Sequence, residues 1–148
     1  DLAKQDGIDG YKALSKSTCL SADVSAAYDP TYASAYEAKN SCYINEGVVI
    51  SKYTGHGGKY DTSDASAEYM GKVRALLEKN NVMWQVGELG KVDMGGGGTI
   101  AKYVANMNVD VVDLGVPVLC MHAPFEIVSK IDVYMAYRAF FAFFDDKI

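Results

Sequence analysis

Strand-like and helix-like segments alternate along this chain of 148 residues, and that order predicts an α/β fold built on one apolar core. Two further observations support it. Apolar residues recur at helical spacing between Asp64 and Lys79, at Tyr69, Met70, Val73, Leu76 and Leu77. The composition, 49% hydrophobic and 22% charged, is that of a globular chain rather than a disordered one, at a length that suits a single domain.

In chain order, Thr18 to Val24 is rich in β-formers and reads as a strand. Pro30 pushes Asp29 out of the helical region and closes the segment that follows. Tyr32 to Asn40 is polar with scattered aromatics, a solvated loop or short helical turn. Gly47 to Tyr53 reads as a second strand and runs into the flexible stretch 54–59. The helix from Asp64 to Lys79 has Ser63 or Asp64 available as its cap and Asn80-Asn81 available to end it in a left-handed conformation. Val82 to Val86 is a third strand, and Thr99 to Met107 a helix launched from four consecutive glycines. Val109 to Leu114 and Val116 to Met121 are strand-like runs broken by Gly115 and Pro117. Glu126 to Phe144 is the last helix, with so many apolar residues that more than one of its faces must be covered by protein.

Composition also narrows the functional classes. A net charge of −5 with no Lys/Arg cluster repels phosphate backbones, which argues against nucleic-acid binding. No apolar run is long enough to span a bilayer, and the polar opening residues do not form a signal peptide; they resemble the middle of a longer chain. Cys19, Cys42 and Cys120 are odd in number and widely spaced, which points to free thiols in a reducing, cytoplasmic setting rather than to a disulfide scaffold or a Cys-based zinc site.

Only two histidines occur. His122 ends the apolar run Val116 to Met121 and precedes Ala123-Pro124, so it sits at a strand end, the usual address of active sites in open α/β sheets. An imidazole there can ligate a metal through one nitrogen and donate the other to a carboxylate, or can be a hydrogen-bonded core histidine. Asp23 has the same placement, and a carboxylate at a buried strand end needs a partner or caps a turn. Gly95 to Gly98 permit close backbone approach and open onto a helix N-terminus. They read as a tight turn, as a surface for a peptide, or as an anion- or nucleotide-binding loop, although no Walker or GxGxxG pattern accompanies them. Lys52, His56 and Lys59 occupy a glycine-rich loop and are solvated or pair with a substrate carboxylate. Glu126, four residues after His122, begins the last helix or orients the imidazole.

Four stretches, taken together, resemble the M18 aminopeptidases. They are Leu20-Ser21-Ala22-Asp23 with Tyr28-Asp29-Pro30; Gly90 through Ile100; Val111 through Pro117; and Met121-His122-Ala123-Pro124-Phe125-Glu126. The resemblance is nearer to the bacterial aminopeptidase I branch than to the aspartyl branch. It implies a mixed sheet sandwiched between helices, zinc-exopeptidase-like but incomplete, with residues 1–148 forming the C-terminal part of a metallopeptidase catalytic domain. It further implies a peptide substrate, two zinc ions, a homo-oligomer of twelve subunits, Asp23 as ligand to one ion and His122 as ligand to the other. Gly96, Gly97, Gly98, Lys59 and Met121 are then expected to border the substrate, and Glu126 to stand behind His122. The resemblance implies that the general-base Glu, the bridging Asp and the remaining ligands precede the matching region, and that the inserted dimerisation domain is absent from residues 1–148, so no catalytic residue is assigned here. The alternatives are an anion- or nucleotide-binding module on the glycine loop, and a scaffold in which Asp23 and His122 are structural.

Overall fold

The computed structural model describes residues 2–57, 59–91 and 93–146. Gly58, in the stretch expected to be a loop, and Val92, in one of the four matching stretches, lie outside the described residues. Two short helices open the chain, α1 (Leu2–Gln5) and α2 (Gly10–Leu14), where the sequence suggested no element. Next come β1 (Thr18–Ser21), β2 (Ser25–Ala26), a 3-10 turn over Pro30–Ala35 and β3 (Val48–Ser51). The second half is α3 (Ala67–Lys79), β4 (Trp84–Val86), α4 (Ala101–Ala105), β5 (Asp110–Gly115), β6 (Pro117–Leu119), β7 (Ile127–Val128) and α5 (Lys130–Asp145).

The main sheet has the order β1-β5-β3-β4. β1 runs parallel to β5 and β3 parallel to β4, while β5 and β3 are antiparallel, so the sheet is mixed as expected. Past a break at 22–24 the same pair of chain segments continues as β2 and β6, which form a second, three-stranded sheet with β7. Alternation along the strands assigns the faces. Leu20, Val48, Ile50, Val112 and Leu114 point into the core, where they meet Tyr69, Val73 and Leu77 of α3 and Ala139 of α5. The opposite face carries Ser21, Ser51 and Asp113. Among the described residues no helix is long and apolar enough to cross a membrane.

Several strands differ in extent from the sequence reading, and three helices differ from it for local reasons. α3 begins at Ala67 with Ser66 as its cap, accepting from the Tyr69 N–H at 3.2 Å, not with Ser63 or Asp64. Residues ahead of it stay extended because the Ala65 N–H donates to the Lys52 carbonyl, and Asp64 binds Lys52 and Lys59 instead. α4 is shorter than Thr99 to Met107, since the Thr99 hydroxyl is drawn to Asp113. The last helix starts at Lys130, not Glu126: the β-branched pair Ile127–Val128 joins β6, and Ser129 caps the helix. Asn81 does end α3 in the left-handed region, at φ 51°.

α5 is tied to the sheet by a buried carboxylate. Asp132 has no exposed surface and accepts from the backbone N–H groups of Asn45, at 2.7 Å, and Gly47, at 2.8 Å. Those bonds fix the loop that delivers β3. Farther along α5, Tyr134, Tyr137 and Phe141 stack on one another and remain exposed, the apolar face that the sequence reading expected protein to cover.

Candidate metal and substrate site

The site grows from the sheet face turned away from the helices. Strand register sets Ser21 and Ser51 on either side of Asp113, a polar row across β1, β5 and β3. Ser51 donates its hydroxyl to the Gly87 carbonyl at 2.8 Å. Asp113, only 5% exposed, accepts through Oδ2 from the Thr99 hydroxyl at 3.0 Å. Burial pushes the Asp113 carboxyl above its ordinary pKa; the Ser21 and Thr99 hydroxyls oppose that rise and the Asp23 charge adds to it. Ser21 lies beside this carboxylate but outside hydrogen-bond geometry, which leaves Asp113 Oδ1 and Ser21 Oγ buried without partners.

Asp23 stands where the chain leaves β1. Its N–H donates to the Ser21 carbonyl at 2.9 Å, and its Oδ1 accepts from the Val24 N–H at 2.9 Å. The turn is possible because Gly115 lies beneath it: a Cβ at that position would collide with the Asp23 carbonyl oxygen. His122 sits in the turn that follows β6. Both it and Cys120 hold positive φ, 66° and 59°, a costly conformation for residues with side chains. The Ala123 N–H bonds the Cys120 carbonyl at 2.9 Å, and the His122 N–H donates to Glu126 Oε1 at 2.6 Å, so the turn is held on both sides.

Asp23 and His122 line one cleft of about 130 Å³. Met121, Gly97 and Gly98 line it as well, and so do Ser25, Thr54 and Asp113. The other expected contacts are placed differently. Gly96, at φ 104°, packs against Gly55, whose carbonyl oxygen leaves no room for a Cβ. The Gly97 N–H donates to the Thr54 carbonyl at 2.8 Å, so part of the loop's donor capacity serves its own packing. Lys59 pairs with Asp64 at 2.5 Å and lies over the Tyr53 ring, and it is not among the residues lining this cleft. Glu126 acts on the main chain of His122 rather than on its imidazole.

Asp113 is the residue that sequence reasoning left without a role, although it lies in a matching stretch. Its signal was available: an acid inside an apolar run, on the opposite alternation from Val112 and Leu114, must be buried in a strand.

A smaller hollow adjoins the cleft and shares Thr54 and Leu89 with it. Here burial raises the Glu88 carboxyl to about 7; Lys59 and Lys52 lower it and the Asp64 charge raises it. The folded pKa exceeds the unfolded one, so the folded state binds the extra proton between them. The stability contributed is therefore full below about pH 4.5 and gone above about pH 7. Chemical denaturation across this range is expected to show stability falling by about 1 kcal/mol, after discounting for solvent near the carboxyl, and Glu88→Gln to flatten that slope.

One carboxylate and one imidazole suit zinc, but a zinc ion takes three or four ligands. Among the described residues no group of three or more His, Cys, Asp or Glu side chains is placed to hold a metal. Asp23 and His122 have the chemistry of zinc ligands, but these two alone are too few to hold an ion.

Comparison with known proteins identifies the family. The family described as aminopeptidase I zinc metalloprotease (M18) matches residues 2–144. A probable M18 family aminopeptidase 1 from Borrelia garinii is 50% identical over 135 residues, which cover 91% of this chain and 30% of that protein. The crystal structure of aminopeptidase I from Clostridium acetobutylicum superposes with a TM-score of 0.91 at 47% identity, over 97% of this chain and 32% of that one. An M18 aminopeptidase from Thermotoga maritima gives 0.88 at 43% identity, over 94% and 32%. The chain spans about 30% of the length of the curated relatives it matches. By family match, identity and fold, it belongs to the M18 aminopeptidases.

Proposed function

We propose that the protein carrying this chain is a metal-dependent aminopeptidase, that the chain is the C-terminal part of its catalytic domain, and that Asp23 and His122 are ligands to two different zinc ions. One observation carries the reading: Asp23, in the break between β1 and β2, and His122, beyond β6, lie on chain segments that pair side by side and line one cleft. When bound, the two ions would polarise the scissile carbonyl and lower the pKa of the attacking water. Asp23 would contribute charge to one ion, and His122, whose N–H is held by Glu126, would supply its imidazole to the other. Met121, Gly97 and Gly98 border the peptide. Gly96 supports the loop from behind, and Lys59 meets substrate only if it leaves Asp64.

The general base is assigned to residues outside this chain, along with the bridging ligand. A homo-oligomer is proposed by analogy with the yeast relative mApe1, a dodecamer that shares the fold at 23% identity. A cytoplasmic setting is proposed because all three cysteines are free thiols.

The test pairs two samples. The full-length protein is expected to hydrolyse aminoacyl-anilides and to lose that activity to a chelator. The isolated 148-residue chain is expected to stay silent with added zinc, manganese or cobalt, because it lacks a base to move the proton. Turnover by the isolated chain that disappears on mutating Glu88 or Glu126 would show a complete site within it.

A further inference from the structure

We propose that Asp113 is a substrate-binding residue whose Oδ1, together with the Ser25 and Thr54 hydroxyls, receives the free α-ammonium group of a peptide N-terminus. The inference rests on the aminopeptidase reading and deepens it, since neither the family match nor the relatives' names assign Asp113 a role.

Four observations lead there. Asp113 Oδ1, Ser25 Oγ and Thr54 Oγ1 are all buried without hydrogen-bond partners, and all three residues line the cleft shared by Asp23 and His122. Their exposures are 5%, 5% and 6%, so each is a buried polar group whose unmet bonding is costly. The Thr99 hydroxyl holds Oδ2 at 3.0 Å, so the orientation of the carboxylate is set and Oδ1 is the oxygen left over. Finally, among the described residues no Lys or Arg lines the cleft, so no cation of that lining neutralises Asp23 and Asp113.

Ser21 Oγ, also unpartnered, lies beside Asp113 as well, and a ligand that brings donors and positive charge suits this lining. An ammonium has three N–H donors and no acceptor, and one carboxylate oxygen with two hydroxyl oxygens can supply an acceptor for each. A peptide carboxylate or a phosphate could accept from the two hydroxyls, but it would bring negative charge and no donor to Asp113 Oδ1 and is disfavoured there. Recognising a free N-terminus at this point would also explain why cleavage starts at the chain end: an acylated terminus has lost the charge and most of the donors.

The experiment uses the zinc-loaded full-length protein and two non-hydrolysable competitors, L-leucinol and N-acetyl-L-leucinol. Inhibition constants are measured against an aminoacyl-anilide, with zinc content determined for each variant. The wild type is expected to bind leucinol more tightly than its acetyl derivative. Asp113→Asn keeps an acceptor for Thr99 and removes the charge. It is expected to weaken leucinol by about tenfold or more, the value of a charge-assisted hydrogen bond, while N-acetyl-leucinol and zinc content stay unchanged. Ser25→Ala is expected to weaken leucinol by a few-fold in the same selective way, and it decides the matter if Asp113→Asn does not fold. Undiminished preference for the free amine in these variants overturns the proposal, as does loss of zinc with both competitors weakened equally. A wild-type protein that hydrolyses no aminoacyl-anilide overturns the aminopeptidase reading itself, and the inference with it.

Discussion

His122→Ala in the full-length protein is expected to abolish peptidase activity while leaving the fold intact. Removing even an outer partner of a metal ligand costs about 10–100-fold, so deleting the ligand itself should exceed that range. The side chain lies on an exposed turn and fills no core space, so its removal opens no cavity. Alanine keeps a Cβ and so does not relieve the backbone at φ 66°, and the Glu126 bond to the N–H of residue 122 stays in place. Hydrolysis of an aminoacyl-anilide measured beside a thermal melt separates the possibilities. Near-normal turnover would eliminate the ligand role, and global unfolding would make His122 a core histidine after all.

Asp132→Ala is expected to give the largest loss of stability, on the order of 3 kcal/mol or more. Two effects add. The backbone N–H groups of Asn45 and Gly47 lose charge-assisted acceptors, and the Gly47 N–H is buried. The loop before β3 then loses its anchor to α5, and β3 is the strand between β5 and β4. Asp132→Asn keeps one acceptor oxygen and should fall between the two. Equilibrium denaturation of the three proteins checks the order. An alanine variant within about 0.5 kcal/mol of wild type would show that the tether is dispensable.

Much of the fold was legible because it follows from local patterns. The helix over Tyr69, Val73, Leu76 and Leu77 buries those four residues as its spacing requires. The strand runs at 48–51 and 110–115 lie within or beside the segments that β-formers marked. What escaped was decided by partners distant in sequence. Ile127 and Val128 are compatible with a helix in isolation, and only the edge of β6 makes them a strand. Thr99 looks like a helix start until Asp113 captures its hydroxyl.

The site divides in the same way. Asp23 and His122 could be placed at strand ends from their neighbours, and the family register brought them together. The positive φ at Cys120 and His122 carries no sequence mark, because no glycine or asparagine signals it. Lys59 drew attention as a mobile cation, yet it pairs with Asp64 a few residues away. Gly96 read as a surface for substrate, and the backbone at Gly55 turns out to be what requires it.

The central claim is that Asp23 and His122 bind metal in one two-ion site. Anomalous scattering at the zinc edge from crystals of the full-length protein tests it most directly. The account predicts two zinc ions about 3.5–4 Å apart, one about 2.0–2.2 Å from an Asp23 carboxylate oxygen and the other about 2.0–2.1 Å from a His122 ring nitrogen. Zinc peaks that contact neither side chain, or a single ion bound elsewhere with this cleft holding none, would contradict it.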